Sequence, residues 1–387
     1  IGNCGDREIY ERMGLPMKKS LSKSEYIYIA SMLFGMFFGA GNLIFPVYMG
    51  QMAGRNMWPA LIGFIITGVG LPLLGVAALG ISRSSGLFEL SSHIGRPYGY
   101  FFTCALYLTI GPFFAIPRCA TTSFTVGIEQ IIPQGSDKLS LYLLLFSLAF
   151  FVAALLFSLY PGKIMVWVGK ILNPAFLLFL GILVVVTLVN PGAAIAEVEP
   201  AGDYATVPFF EGFIEGYNTL DALASLAFGI VVVNVIRGLG VEDGDAVASN
   251  TVRAGIFSCL LMAVIYFFVT LIGVHSRGVM ASAENGGVAL AQIAKHYLGA
   301  PGLIVLAATV TLACLKTSVG LITSCAETFA GMFKCLSYRA WAIIFSVVAF
   351  GFANFGLSNI ISYSLPVLMF LYPLAIVLIV LSLCGKF

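Results

Sequence analysis

Four ionisable side chains stand inside stretches that are otherwise fit only for hydrocarbon: Arg118 in FFAIPRCATTSF, Glu215 and Asp221 in FIEGYNTLDALAS, and Lys316 in LACLKTSVG. On insertion scales each costs about 2.5–3.5 kcal/mol at the centre of a membrane helix, so it is kept for a partner, an ion or a polar ligand. Asp221 follows a helix-breaking run. At the start of a half-helix a carboxylate is favoured by the dipole and caps free N–H groups, so a capping role and a transport role both stand for it. Glu215 is either part of the same site or a wet residue near the outer surface. Arg118 either binds a substrate carboxylate or neutralises Glu215 or Glu129. Lys316 precedes two hydroxyls, Thr317 and Ser318. Such hydroxyls bond back to their own helix or serve as oxygen ligands for a monovalent cation, and an ammonium among them can stand in for that cation.

The backbone carries the same signal. FFGAGNLIFP, residues 37–46, puts Gly39, Ala40, Gly41 and Asn42 in the middle of an apolar run, with Pro46 close behind. Glycine costs a helix interior about 1 kcal/mol relative to alanine, and proline removes a donor. EGYNTLD, residues 215–221, interrupts a later apolar run in the corresponding way, with Gly216, Tyr217, Asn218 and Thr219 at its centre. Unpaired N–H and C=O groups are not tolerated in lipid, so a rupture must face ligand, water or protein. A ruptured helix offers donors with partial positive charge at one new end, suited to a carboxylate, and carbonyl oxygens at the other, suited to a cation or an ammonium. Paired ruptures in the two halves of a chain are the best sequence pointer to a transporter binding site. Here they predict that residues 39–42 and 216–219 face each other across an amino-acid zwitterion.

The elements that must position these residues are membrane helices. The chain has 387 residues, 59% hydrophobic and 10% charged, with a mean hydropathy of +0.99. A soluble domain carries about 25% charged residues. Ten-residue alternation is absent, which argues against a barrel. Ten spans are expected, at 26–50, 57–81, 97–132, 139–160, 162–190, 208–236, 247–275, 300–334, 338–355 and 360–384. The third and eighth are longer than a bilayer needs and should tilt or extend past the surface; residues 284–299 suggest a short re-entrant or surface helix. Residues 1–25 form an N-terminal segment, 26–190 a first repeat, 191–207 an external loop and 208–384 a second repeat. Each half holds five spans and opens on a ruptured one, and an odd number inverts the second half. With both termini cytoplasmic, fourteen of the twenty Lys and Arg fall inside and four outside, as the positive-inside rule requires. Met17-Lys18-Lys19 reads like a natural bacterial start, and residues 1–16 as upstream sequence or a misplaced start. No cleavable signal peptide is evident.

Other functions find little support. The eight cysteines are scattered without a C-x-x-C pair and the three histidines lie far apart, so neither a disulfide framework nor a metal motif is indicated. The cysteines read as small buried side chains. No G-x-x-x-x-G-K-[ST] loop is present, so a gradient must supply the energy. No G-x-S-x-G or histidine cluster supports an intramembrane enzyme. A passive channel needs a repeated pore ring, and two central ruptures in one chain fit occlusion better. No cofactor and no nucleic-acid partner is expected.

Five blocks, FGMFFGAGNLIFP, PRCATTSFTVGIEQ, GFIEGYNTLDALASLAFGIVVVN, LACLKTSVGLITSCAE and SNIISYSLPVLMFLYP, resemble the bacterial branched-chain amino acid:cation symporters, over nearly all of residues 17–383. The resemblance implies an all-α membrane protein of the five-plus-five inverted-repeat, leucine-transporter-like fold in a bacterial cytoplasmic membrane. It implies uptake of leucine, isoleucine and valine driven by Na⁺, or by H⁺ in some relatives. Carried onto this chain, Gly39 and Asn42 share Na⁺ with Thr317 and Ser318, and the substrate lies between the two ruptures against the third and eighth spans. Two departures stand out. The family has about twelve spans and this chain ends after ten, as a complete repeated core or a fragment. Lys316 stands where relatives carry a hydroxyl or small apolar residue. If its ammonium enters the cation site, coupling passes from Na⁺ to H⁺; if it snorkels elsewhere, nothing changes. A proton-coupled or exchanging permease of the same fold is the alternative reading.

Overall fold

The computed structural model describes residues 21–39, 41–82, 84, 86–133, 137–159, 163–241 and 244–385. Residues 1–16, the Met17-Lys18-Lys19 start and Ala40 lie outside them. Among the described residues the secondary structure is entirely helical.

The first span is two helices, α1 (Lys23–Phe37) and α2 (Gly41–Ala53). A capping box starts α1: Glu25 N–H donates to Ser22 Oγ at 3.3 Å and Ser22 N–H to Glu25 Oε2 at 2.7 Å, satisfying two end donors reciprocally. It stops where Phe38 turns extended, just ahead of the Gly-Ala-Gly run. The second span is α3 (Met57–Ile65) and α4 (Leu71–Ser82), joined by a widened turn at Ile66–Gly70. A short α5 (Leu87–Ser92) leads into the third span, α6 (Arg96–Leu108) and α7 (Ala115–Val126). Then come α8 (Leu139–Leu159), α9 (Lys163–Val189), and the ruptured sixth span, α10 (Pro208–Tyr217) and α11 (Asp221–Gly238). The chain continues through α12 (Gly244–Ser276), α13 (Gly286–Met332), α14 (Tyr338–Ala353) and α15 (Leu357–Leu383).

Seven helical runs among the described residues are long and apolar enough to cross a bilayer, and Leu177–Val189 and Tyr338–Ala353 are shorter apolar helices. The number is below the ten spans expected because Gly41–Ser82 runs on as one stretch through the turn at Gly54, joining part of the first span to the second, and because the fifth and ninth spans are represented among the described residues by Leu177–Val189 and Tyr338–Ala353. The excess length of the third and eighth spans resolves into kinks. The third breaks at Gly111 (φ −91°, ψ −119°) before Pro112. In α13 the break is Gly299 (φ +67°, ψ −163°), two residues before Pro301. Gly299 thus separates a helix of between three and four turns that starts at Gly286, the segment expected at 284–299, from the eighth span proper.

Packing relates the two halves. The sixth span lies along the second, α10 on α3 and α11 on α4, while the seventh lies along the first, α12 on α2 and α1. Exchanging the first span for the sixth and the second for the seventh turns one arrangement into the other. The closest approaches match as well. A Cβ on Gly63 would lie 2.1 Å from the Phe209 carbonyl oxygen and one on Gly212 1.9 Å from that of Ala60. In the other pair of spans, Gly50 would lie 2.1 Å from the Thr270 oxygen and Gly273 2.2 Å from that of Val47. Small residues let membrane helices touch in this way, where dispersion and shape replace the hydrophobic effect. The third and eighth spans pack on each other through α7 and α13. The connection after α9 folds back over the turn between the first two spans: Arg55 pairs with Glu199 at 2.7 Å, and Ala201 N–H donates to Met52 O at 2.8 Å.

Candidate functional site

Both ruptures open onto one central cavity of about 50 Å³. From the first come Gly39, Gly41 and Asn42; from the second, Thr219, Leu220 and Asp221. The third span adds Arg118 and the eighth adds Thr317. The rest of the wall is largely apolar, with Phe37, Ile110, Phe228 and Leu321. As it stands the volume suits an ion and a few waters; an amino acid the size of leucine requires the walls to part.

The first rupture is held by Asn42. Its Oδ1 accepts from the Gly39 N–H at 2.9 Å, and its Nδ2 donates to Asp221 Oδ2 at 2.5 Å and to the Tyr266 hydroxyl. Tyr266 in turn donates to Asp221 Oδ2 at 3.2 Å. All three side chains are buried. One amide therefore closes the first rupture on itself and ties it to the second. The N-termini of α2 and α11 both begin at this cavity, so both bring partial positive charge to it, and Asp221 sits where the α11 dipole favours a carboxylate.

The second rupture is short, and most of its backbone groups are bonded within the protein. Tight turns close it: Asn218 N–H donates to Glu215 O at 3.0 Å and Leu220 N–H to Tyr217 O at 3.0 Å. Leu220 then takes φ +65°, a left-handed conformation costing a non-glycine residue roughly 1–2 kcal/mol. The freed carbonyls find protein donors. Arg118 Nη1 donates to Asn218 O at 2.5 Å, Tyr372 to Tyr217 O at 2.9 Å, and Thr219 Oγ1 to Gly216 O at 2.9 Å. These bonds repay the penalty of opening the helix in the membrane.

The predicted residues separate accordingly. Gly39, Gly41, Asn42, Thr219, Asp221, Arg118 and Thr317 meet at the cavity; Ala40 lies outside the described residues. Tyr217 stacks on Tyr372 at 3.9 Å between ring centroids, away from the cavity. Gly216 faces the second span, where an added Cβ would lie 1.9 Å from Thr67 Oγ1. Asn218 contributes its carbonyl to Arg118, while its amide donates to Glu215 Oε2 at 3.1 Å. Neither Glu215 nor Glu129 is within ion-pair distance of Arg118 among the described residues. Arg118 instead lies over the Phe45 ring at 5.0 Å. Ser318 is fully buried with an unpartnered Oγ, next to Thr317 on α13. Lys316 reaches the carbonyl of Gly35, Nζ to O 3.4 Å, near the C-terminal end of α1. A cation is favoured at that end of a helix, and Lys316 is not part of the cavity wall. Sequence reasoning missed Tyr266 and Tyr372. Each is a hydroxyl inside an apolar run, and that was the available signal.

Chemically, the cavity combines one guanidinium, one carboxylate, one carboxamide, two helix N-termini and two threonine hydroxyls within a largely apolar wall. The fixed charges cancel, as do those of a zwitterion.

Comparisons with known proteins bear on the same residues. Residues 22–387 match a family model described as branched-chain amino acid transport protein. A branched-chain amino acid permease BrnQ of Lactobacillus delbrueckii subsp. lactis is 56% identical over 371 residues, 96% of this chain and 83% of the relative. Permeases of the same description are 43% identical in Bacillus subtilis, over 95% of this chain and 82% of the relative, and 39% identical in Escherichia coli K12, over the same shares. Among solved structures, MhsT in complex with L-phenylalanine superposes with a TM-score of 0.63 at 17% identity, covering 95% of this chain and 90% of that one. Mhp1, a nucleobase-cation-symport-1 family transporter in a closed conformation, gives 0.59 at 17% identity over 92% and 77%. At such identities the likeness concerns the fold, and it fits the five-plus-five arrangement of spans.

Proposed function

The chain belongs to the branched-chain amino acid transport protein family, and on that premise we propose that it imports leucine, isoleucine and valine together with Na⁺ by alternating access. The family is one of multi-pass membrane transporters, not enzymes. The supporting observation is that both ruptures line one cavity together with Arg118 and Thr317.

In this reading the substrate carboxylate meets the α2 N-terminus and the Arg118 guanidinium, and its ammonium meets Asp221. Its aliphatic side chain lies against Ile110, Phe228 and Leu321. One methylene in such a wall is worth about 1–3 kcal/mol, so the three substrates overlap. Na⁺ sits between Gly39 and Asn42 on one side and Thr317 and Ser318 on the other. The buried, unpartnered Ser318 hydroxyl suits an oxygen ligand for that ion. The five-plus-five inverted repeat lets one bundle rock against the other around the site. The membrane is a bacterial inner membrane, with both termini on its cytoplasmic face.

The second reading, proton coupling or exchange in the same fold, draws on Lys316. It puts an ammonium on the carbonyl of Gly35, within one span of the cation ligands. Uptake of radiolabelled leucine into proteoliposomes separates the two. An imposed Na⁺ gradient is expected to drive accumulation that isoleucine and valine compete away. Accumulation under a proton gradient alone, indifferent to Na⁺, overturns Na⁺ coupling. No uptake under any gradient overturns the transport reading.

A further inference from the structure

We propose that the groove between α1, α9 and α12 holds one anionic phospholipid of the surrounding bilayer, its phosphate at Lys23 and one acyl chain laid along α1. The groove encloses about 710 Å³. Its α1 wall is Lys23, Tyr26, Ile27, Ala30, Ser31 and Phe34, a single stripe at helical spacing. Lys23 to Phe34 is about 16 Å along a helix axis, roughly the depth of one leaflet in a hydrocarbon core about 30 Å thick. The groove therefore runs from the membrane interface to the level of the rupture.

Its chemistry changes along that length as a lipid's does. Lys23 is exposed at the interfacial end, and among the described residues it is the one charged residue on the wall. Glu25, two residues on and so on the other side of the helix, does not line the groove, and its carboxylate accepts from the Ser22 N–H. Below Lys23 the wall is Pro174 and Leu177 of α9 and Phe257 and Leu261 of α12, and among the described residues the hydroxyls of Tyr26, Ser31 and Ser258 are its other side-chain polar groups. The Tyr26 hydroxyl is bonded across to Asn250 of α12. An ammonium at the interface above an apolar trough matches a phosphate above an acyl chain, and a basic residue beside the membrane attracts anionic lipid by about 1 kcal/mol.

The position gives the lipid a consequence. α1 is the first half of the ruptured first span and its last residue, Phe37, lines the cavity; a chain wedged along it fills the space between it and its neighbours. Occupancy holds α1 against α9 and α12.

The test is lipid binding, read independently of transport. The full chain, purified and stripped of lipid, is titrated with phosphatidylglycerol or phosphatidylethanolamine of matched acyl chains and followed by native mass spectrometry. One phosphatidylglycerol per chain is expected, bound about fivefold more tightly than phosphatidylethanolamine, which is the factor that about 1 kcal/mol gives. Lys23→Gln is expected to erase the preference, and Ala30→Phe, which fills the trough, to weaken both lipids. The proposal is overturned if the wild type shows no preference, or if Lys23→Gln keeps it. Lys23 is exposed at a helix start, so its variant decides the matter even where Ala30→Phe fails to fold.

Discussion

Asn42 on α2 donates to Asp221 on α11 at 2.5 Å, so the two ruptured spans are tied together at their openings. A rupture in a membrane helix is stable when its freed groups are taken up by others. Here a single amide serves the Gly39 N–H, the Asp221 carboxylate and the Tyr266 hydroxyl. The bond also couples the halves, because any movement that separates α2 from α11 must break it.

Removing that amide is expected to disable the carrier without unfolding it. A hydrogen bond to a charged group is worth about 1.5–3 kcal/mol, so Asn42→Ala should lower leucine uptake by roughly ten- to hundredfold while the purified protein stays monodisperse. Asn42→Asp should be worse, since it sets a second carboxylate against Asp221. Wild-type uptake by Asn42→Ala would mean that the tie is dispensable.

Asp221→Asn keeps the shape of the side chain and removes its charge. If the carboxylate receives the substrate ammonium, the leucine concentration for half-maximal uptake rises by about tenfold or more, the loss of one charge-assisted bond. A leucine analogue lacking the amino group should then compete equally well against variant and wild type. Inhibition confined to the wild type would contradict the assignment.

Thr317 and Ser318 are adjacent on α13, one on the cavity wall and one buried with its hydroxyl unpartnered. Thr317→Val and Ser318→Ala remove candidate Na⁺ ligands at little cost in volume. Each is expected to raise the Na⁺ concentration for half-maximal uptake by roughly tenfold, the order of one hydrogen bond's worth of stabilisation. Leucine affinity at saturating Na⁺ should hold. Unchanged Na⁺ curves in both variants would remove these hydroxyls from the ion site.

The ruptures were legible because their cause is local. Gly39, Gly41 and Asn42, and then Gly216, Asn218 and Asp221, are poor helix guests in apolar runs, and the penalty is incurred wherever the helix goes. The partners were not legible, because they depend on how each helix is rotated about its axis. Tyr217 belongs to the second rupture in sequence, yet its ring faces Tyr372 rather than the cavity. Arg118 had three candidate partners and took a fourth, the Asn218 carbonyl, which exists as an acceptor only once the helix is open. Tyr266 lies in an unbroken run of α12 with no punctuation near it, and its place is set by the packing of the seventh span on the first.

Gly216 is expected to be required for packing. A methyl group there would meet Thr67 Oγ1 at 1.9 Å and the Phe64 carbonyl oxygen at 3.0 Å. Overpacking of this kind costs about 1–3 kcal/mol, so Gly216→Ala should lower the midpoint of thermal unfolding in detergent. Thr67→Ala removes the first clash and leaves the second. The double variant should therefore recover part of the loss, and equal destabilisation with and without Thr67 would place the constraint elsewhere.

Lys316 decides between the two coupling readings. Its ammonium reaches the Gly35 carbonyl at the end of α1, where a cation is worth about 0.3–1 kcal/mol through the helix dipole. If that is its role, Lys316→Thr leaves the Na⁺ dependence of uptake superimposable on the wild type and lowers thermal stability slightly. If the ammonium instead stands in for the coupling ion, the variant should lose uptake driven by a proton gradient and acquire or steepen a requirement for Na⁺. Because Lys316 stands outside the cavity wall while Thr317 is part of it, the first outcome is expected. Measuring Na⁺ titrations of both proteins in the same vesicles, at fixed leucine and fixed pH, separates a helix-end contact from a coupling group.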